Sequence, residues 1–312
     1  MKLIPEYAPV EKLYLCFVEA FFHTRFRYGE TLCEIIRAAR SNVDIEVLIH
    51  PAEIPRFREI CAERGGSLVG VAFDTDTPGR SILAEYTPIF ARDADGAVTG
   101  LTFRNPLLER ADELQRFSHR LLKKLGLRAR GLGFPFATTH LLVNEEVALL
   151  SDYFFAGEEG AKRLASLAEM FPAHTFHLVP GLAGDVTRDL DMYLWPIAPR
   201  AWIASEYPAG TPQAISIEPA LRVLREHGHT VHRVPGLEAI RYDDIDTMPN
   251  YTNGVLLNGL ALVPAYQRAE DAAVQEILRD FGYTVHPIDC SRLILSNSGV
   301  HCIVKAIPAS GV

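Results

Sequence analysis

The chain has 312 residues, 48% of them hydrophobic and 22% charged, enough apolar material to bury a core without structural help from metals or cross-links. A formal net charge of −8 argues against nucleic acid as a partner and suits a small cationic substrate. No run reaches about 18 uninterrupted apolar residues, and Met1-Lys2-Leu3-Ile4-Pro5-Glu6 lacks the basic-then-apolar order of an export leader, so a cytoplasmic protein without a membrane segment is expected.

In chain order, apolar runs at 13–18 and 43–48 flank a helical pattern at 31–39, which gives strand, helix, strand. A second helical pattern at 54–64 leads into an apolar run at 68–73, taken as part of a next unit. Later the order recurs three times. Apolar runs at 147–150, 201–204 and 260–263 precede helical patterns at 161–171, 218–227 and 269–281, with Leu164, Leu167 and Ala168, or Val274, Ile277 and Leu278, on one stripe. A motif then closes each unit. His174-Thr175-Phe176-His177-Leu178-Val179-Pro180-Gly181 returns as His229-Thr230-Val231-His232-Arg233-Val234-Pro235-Gly236 and, in weaker form, as Tyr283-Thr284-Val285-His286-Pro287-Ile288-Asp289. A spacing of about 55 residues is that of one supersecondary unit, and five units fit the length.

Strands joined through helices build sheets with helices on one side, and a ring of small sheets about a pseudo-fivefold axis is one closed solution. The expected fold is therefore an α/β propeller of five modules forming a single domain over residues 1–312, with softer segments at 74–80 and 196–200. An open doubly wound sheet is the alternative, but no Gly-rich phosphate turn follows any of the strands.

Ser296-Asn297-Ser298-Gly299-Val300-His301-Cys302-Ile303-Val304-Lys305 puts a thiol at the mouth of a final strand, directly after a turn containing Gly and Ser. A turn frees a side chain from the packed sheet, and a thiolate is the strongest side-chain nucleophile at neutral pH. Cys302 is the candidate nucleophile, against the plainer alternative of a small buried apolar side chain. That plainer reading is given to Cys16, Cys33, Cys61 and Cys290. With no CxxC pair and an odd total, all five cysteines are expected to be thiols in a reducing compartment. The spacings of His174/His177 and His227/His229/His232 suggest metal ligands, but the repeat accounts for them, and no metal or cofactor is expected. Strand alternation would turn His301 away from the face presenting Cys302.

The segment around Cys302 resembles the Gly-Gly-Gly-x-His-Cys-x-Thr ending of agmatine deiminases and bacterial peptidylarginine deiminases, members of the guanidino-group-modifying (pentein) class. Pro249-Asn250-Tyr251-Thr252-Asn253-Gly254, followed by Asn258-Gly259 and by Leu262-Val263-Pro264-Ala265-Tyr266, resembles their Ser-Tyr-x-Asn stretch with its Asn-Gly and Val-Pro-x-Tyr. Phe90-Ala91-Arg92-Asp93-Ala94-Asp95-Gly96 is similar to their Trp-x-Arg-Asp-x-Gly-Pro motif. The resemblance implies Cys302 as nucleophile, Asp93 and Asp191 as ligands of a substrate guanidinium, and Arg92 and Asn253 among the substrate-binding residues. Carboxylates suit that task because they accept paired, charge-assisted hydrogen bonds from a planar guanidinium. Without the resemblance, Asp93 reads equally well as a turn cap or an internal ion pair.

Two segments depart from the family pattern. In Asp185-Val186-Thr187-Arg188-Asp189-Leu190-Asp191, Asp189 stands where the family has its proton-shuttling His and Arg188 where it has Gly. Ala137-Thr138-Thr139-His140 stands in place of the Glu-Gly-Gly signature. The implied chemistry is attack of a thiolate on the guanidinium carbon, loss of ammonia and hydrolysis of the amidino-thiol. It needs a group that protonates the leaving amine and later activates water. Asp189 would qualify if it alternates with Asp191 on a strand-like segment, since two close carboxylates raise one pKa. His140 would qualify by returning an imidazole from another strand, its plainer reading being a partly buried ring bonded to backbone. Three readings follow: a hydrolase, an amidinotransferase sharing the covalent step, and a binding protein that has lost turnover. The expected partner is a small guanidino or amidino cation. Loops at 153–159 and 207–217 would set specificity, and a homo-oligomer is compatible with the chain.

Overall fold

The computed structural model describes residues 1–19 and 25–310. The chain runs through β1 (Lys2–Leu3), β2 (Val10–Phe17), α1 (Tyr28–Ala39), β3 (Asp44–Ile49), α2 (Ile54–Glu63), β4 (Ala72–Asp74), β5 (Ile89–Arg92), β6 (Val98–Arg104), α3 (Ala111–Lys124) and β7 (Arg128–Pro135). It continues through β8 (Leu141–Asn144), β9 (Val147–Ser151), α4 (Gly157–Met170), β10 (Thr175–Val179), β11 (Leu194–Ala198), β12 (Ala201–Glu206), α5 (Pro212–Glu226) and β13 (Thr230–Pro235). The remaining elements are the hairpin β14 (Ile240–Tyr242) and β15 (Ile245–Thr247), then β16 (Val255–Leu257), β17 (Leu260–Ala265), α6 (Asp271–Asp280), β18 (Thr284–Asp289) and β19 (Val304–Pro308).

One module occurs five times: an edge strand antiparallel to a central strand, a helix, and a third strand parallel to the central one. Two compact units hold these modules. One, 1–8 with 85–236, contains the sheets centred on β6, β9 and β12; the other, 9–84 with 237–310, contains those centred on β2 and β17. In the β2 sheet the edge strand is β19, which pairs Val304 with Leu15. Register explains the repeated motif. Thr175, Thr230 and Thr284 each pair with the first residue of their central strand, Val147, Ala201 and Leu260. The preceding histidines are structural acceptors: His174 Nε2 takes the Leu3 N–H at 2.9 Å, and His229 Nδ1 takes the Trp202 indole N–H at 2.9 Å. Burial holds His174 at a pKa of about 4, as an acceptor imidazole requires.

Helix α3 shows why these segments fold as they do. Asp112 and Glu113 occupy its first turn and Lys123 and Lys124 its last, matching the helix dipole, while Leu114, Phe117, Ser118, Leu121 and Leu122 form one buried stripe. The first unit also holds a core gathered on Phe136, with Phe103, Phe154, Phe155 and Phe171 in the same cluster. Asparagines tie modules together within each unit. Asn144 donates to the carbonyls of Ala198 and Ala201, and Asn258 to those of Val10 and Asn42.

Two expectations are corrected. The 54–64 helix and the strand behind it extend the first sheet, because β4 pairs with β3 in parallel; the second module is built instead from β5, β6, α3 and β7. Cys33 and Cys61 are not thiols. They form a disulfide, since α1 and α2 bring their Cα atoms to 5.3 Å, and the cysteine count no longer argues for a reducing compartment. Cys16, Cys290 and Cys302 are free thiols. Among the described residues no helix is long and apolar enough to cross a membrane.

Candidate active site

Cys302 lies in a turn at 301–303, immediately before β19, and is 7% exposed. Its Sγ donates to Asn253 Oδ1 at 3.4 Å, and its backbone N–H reaches the same oxygen at 3.3 Å. His301 N–H donates to the Asn253 carbonyl, and the Cys302 carbonyl accepts from Ala84 N–H, each at 3.1 Å. Three main-chain groups and the thiol are thus fixed together. Gly299 is required for this: a Cβ there would stand 2.4 Å from Asn253 Oδ1. Because 301–303 is a turn, the strand alternation expected for His301 does not apply.

Asn253, expected to contact substrate, is 1% exposed and is the partner of the thiol. Its own N–H donates to Asn250 Oδ1 at 2.9 Å, which also accepts from the Thr252 hydroxyl. The Tyr266 hydroxyl takes the Asn250 N–H and donates to the Asn250 carbonyl, while Asp271 anchors the Tyr251 hydroxyl and the Tyr266 N–H. The family-like stretch 249–266 is therefore the frame that aims Cys302.

In the other unit, residues 185–192 are a capped turn followed by a short 3-10 helix, Leu190–Met192. Asp189 and Asp191 do not alternate on a strand. The cause is Asp185, whose Oδ2 accepts from the Thr187 hydroxyl at 2.5 Å and from Arg188 N–H at 2.8 Å, an arrangement that competes with extended backbone. Thr138–His140 is a second 3-10 turn. Asp189 Oδ1 accepts from the Thr139 hydroxyl at 2.6 Å and lies 3.1 Å from His140 Nε2, which is also 3.1 Å from the Thr187 carbonyl. The nitrogen that meets the Thr187 carbonyl is Nε2, so that contact demands the tautomer with its proton there. The imidazole is 1% exposed, with the Phe154 ring at 5.0 Å and the Tyr153 ring edge-on at 5.8 Å. The two segments that depart from the family pattern are in direct contact.

Asp191 is buried in the 3-10 helix. One carboxylate that feels Asp189 is Asp185, which sequence reasoning missed. Burial first, and the nearby Asp189 second, push the Asp185 carboxyl up from its ordinary range. The Asp-x-Thr spacing of a capped turn was the available signal. Arg92 and Asp93 are engaged in the turn between β5 and β6. Asp93 Oδ1 accepts from the N–H groups of Asp95 and Ala97, its Oδ2 pairs with Arg128 at 2.9 Å, and Arg92 donates to the Gly96 carbonyl. Asp93 thus already holds one guanidinium, that of Arg128. Among the described residues, no group of three or more His, Cys, Asp or Glu is placed to hold a metal ion.

The fold is that of the pentein enzymes. The agmatine deiminase of C. jejuni superposes with a TM-score of 0.82 at 16% identity, covering 99% of this chain and 96% of that one. Its cysteine-to-serine variant with substrate bound gives 0.83 at 15% identity with the same coverage. An amidinotransferase of Microseira wollei from the saxitoxin pathway gives 0.57 at 12% identity, covering 99% and 97%. No curated protein sequence matches the chain. The model of the Porphyromonas-type peptidyl-arginine deiminases matches residues 148–308, a stretch that holds both the 185–191 turn and Cys302 and is more than half of the chain, and the protein belongs to that family.

Proposed function

We propose that the protein is a cysteine-dependent enzyme acting on the guanidino or amidino group of a small cationic substrate, with Cys302 as nucleophile and Asp189, backed by His140, as the proton-transfer group. The observation that carries this reading is the contact of Asp189 with Thr139 and His140. A chain that had simply lost its shuttle would have no reason to set an acid against an imidazole from the two departing segments.

In this reading the Cys302 sulfur bonds to the guanidinium carbon, and its proton passes to the nitrogen that leaves as ammonia. Water then adds to the amidino carbon, the C–S bond breaks, and a ureido product and the thiol are released. The Asp189 carboxylate, 3.1 Å from Nε2, conveys the proton, since the His140 ring itself is sealed. Asp191 is assigned to the cation. The C. jejuni agmatine deiminase with substrate bound, a structural likeness, supports a small guanidino substrate. Residues 1–312 are taken to act as one catalytic domain. The cytoplasm is its proposed place, and intact mass with and without reductant on freshly prepared protein tests this through the Cys33–Cys61 bond.

The test is intact-protein mass after incubation with a chloroacetamidine probe, against a plain alkylator of similar size and against Cys302→Ala. Selective single labelling that vanishes in the variant supports the covalent step, with ammonia release from guanidino compounds as the next readout. Labelling no faster than the plain alkylator, or undiminished in the variant, would move the protein to the binding class. The likeness to an amidinotransferase favours a second fate for the same adduct. Amidino transfer to an added amine acceptor, without ammonia release, would establish it.

A further inference from the structure

Arg188 sits between two acids in sequence, Asp185 and Asp189, and pairs with neither. Its N–H is held by Asp185 Oδ2 at 2.8 Å, and its backbone has φ 62°, the left-handed region that glycine enters freely and a residue with a Cβ does not. Three other arginines adopt this conformation, Arg27, Arg110 and Arg200, and each has a carboxylate partner: Glu30, Glu113 and Glu146. Arg188 is exposed and, among the described residues, has no ion pair. The turn is built around its backbone, since a Cβ on Gly181 would lie 2.7 Å from Arg188 Cα. A side chain is therefore kept where glycine would be less strained, rigidly based and beside Asp189, with its guanidinium unspent. An unpaired, preorganised guanidinium suits a planar oxyanion, which it can bind through two parallel hydrogen bonds.

We propose that Arg188 receives a carboxylate on the tail of the substrate, so that the protein prefers guanidino acids to guanidino amines. This deepens the reading of the chain as a guanidino-group enzyme and rests on it. The cationic head goes to the acids of the site and the anionic tail to Arg188, whereas an amine tail would meet a like charge there.

The experiment is calorimetric titration of full-length Cys302→Ala, which binds without turnover, with 4-guanidinobutyrate, butylguanidine and agmatine. The expected result is about tenfold tighter binding of 4-guanidinobutyrate than of butylguanidine, with agmatine weakest. Adding Arg188→Gly suits the backbone, so its melting temperature should hold or rise while the carboxylate preference falls to within about twofold. Arg188→Lys should restore part of that preference. Equal binding of the three compounds, or a preference that survives Arg188→Gly, overturns this inference and leaves the guanidino reading standing. Failure of all three to bind overturns both.

Discussion

The turn that carries Cys302 and the turn that carries Asp189 are built on opposite plans. Around Cys302 the family-like residues persist and the thiol is aimed mostly by backbone contacts through one amide, Asn253. Around Asp189 the family's His, Gly and Glu-Gly-Gly residues are replaced, and Thr139, His140 and Asp185 hold the acid directly or through Thr187. The difference teaches that a position which must deliver one fixed atom tolerates little change. On the proposed reading, a position that must supply a proton can be rebuilt from other side chains.

The sharpest way to break this comparison is Asp189→Asn, which keeps the shape and removes the acid. Turnover should fall about 100-fold or more, while chloroacetamidine labelling of Cys302, whose leaving group needs no proton, should persist. Loss of both together would mean that the two turns do not do separate work. Next in size is Asn253→Ala. It should slow labelling about tenfold by freeing the thiol, and cost roughly 1–3 kcal/mol by leaving the Cys302 N–H without its acceptor. Stopped labelling time courses and chemical denaturation read the two effects.

Gly299→Ala forces a methyl to within 2.4 Å of Asn253 Oδ1, and a loss of about 1–3 kcal/mol is expected, read as a lowered melting temperature. The smallest effect has the opposite sign. Because the Asp185 carboxyl is pushed up by burial, the fold favours its protonated form. Its contribution to stability is full below the ordinary carboxylate range and declines as pH rises through it. Asp185→Asn should therefore stabilise the protein by about 1 kcal/mol at neutral pH and by almost nothing below about pH 4, as followed by melting across pH.

The repeat of strand, helix and strand was legible because Thr175, Thr230 and Thr284 hold the same register position and the residues around them are constrained alike. The second module was not. Its third strand, β7, is largely exposed and carries Gly131 and Gly133, so it shows neither alternation nor an apolar run. Helix α5 was expected from residue 218 and starts at Pro212, because the Thr211 cap and a proline in the first turn set its beginning, signals that periodicity does not contain. In the site, Cys302 and the 249–266 stretch were readable because they are local in sequence. The contact of residues 139 and 140 with residue 189, like the disulfide of Cys33 with Cys61, is made by tertiary packing that no window of sequence displays.

The pairing of β19 with β2 has a consequence for biosynthesis. The unit formed from 1–8 and 85–236 is complete once residue 236 has been made and can fold as soon as it leaves the ribosome. The β2 sheet, by contrast, waits for β19, a strand made nearly the whole chain later. Asn253 and Cys302 meet only when β19 docks, so the thiol is set in place after the rest of that sheet has been made. A nascent chain would therefore have made its four other modules before the turn around Cys302 is aimed.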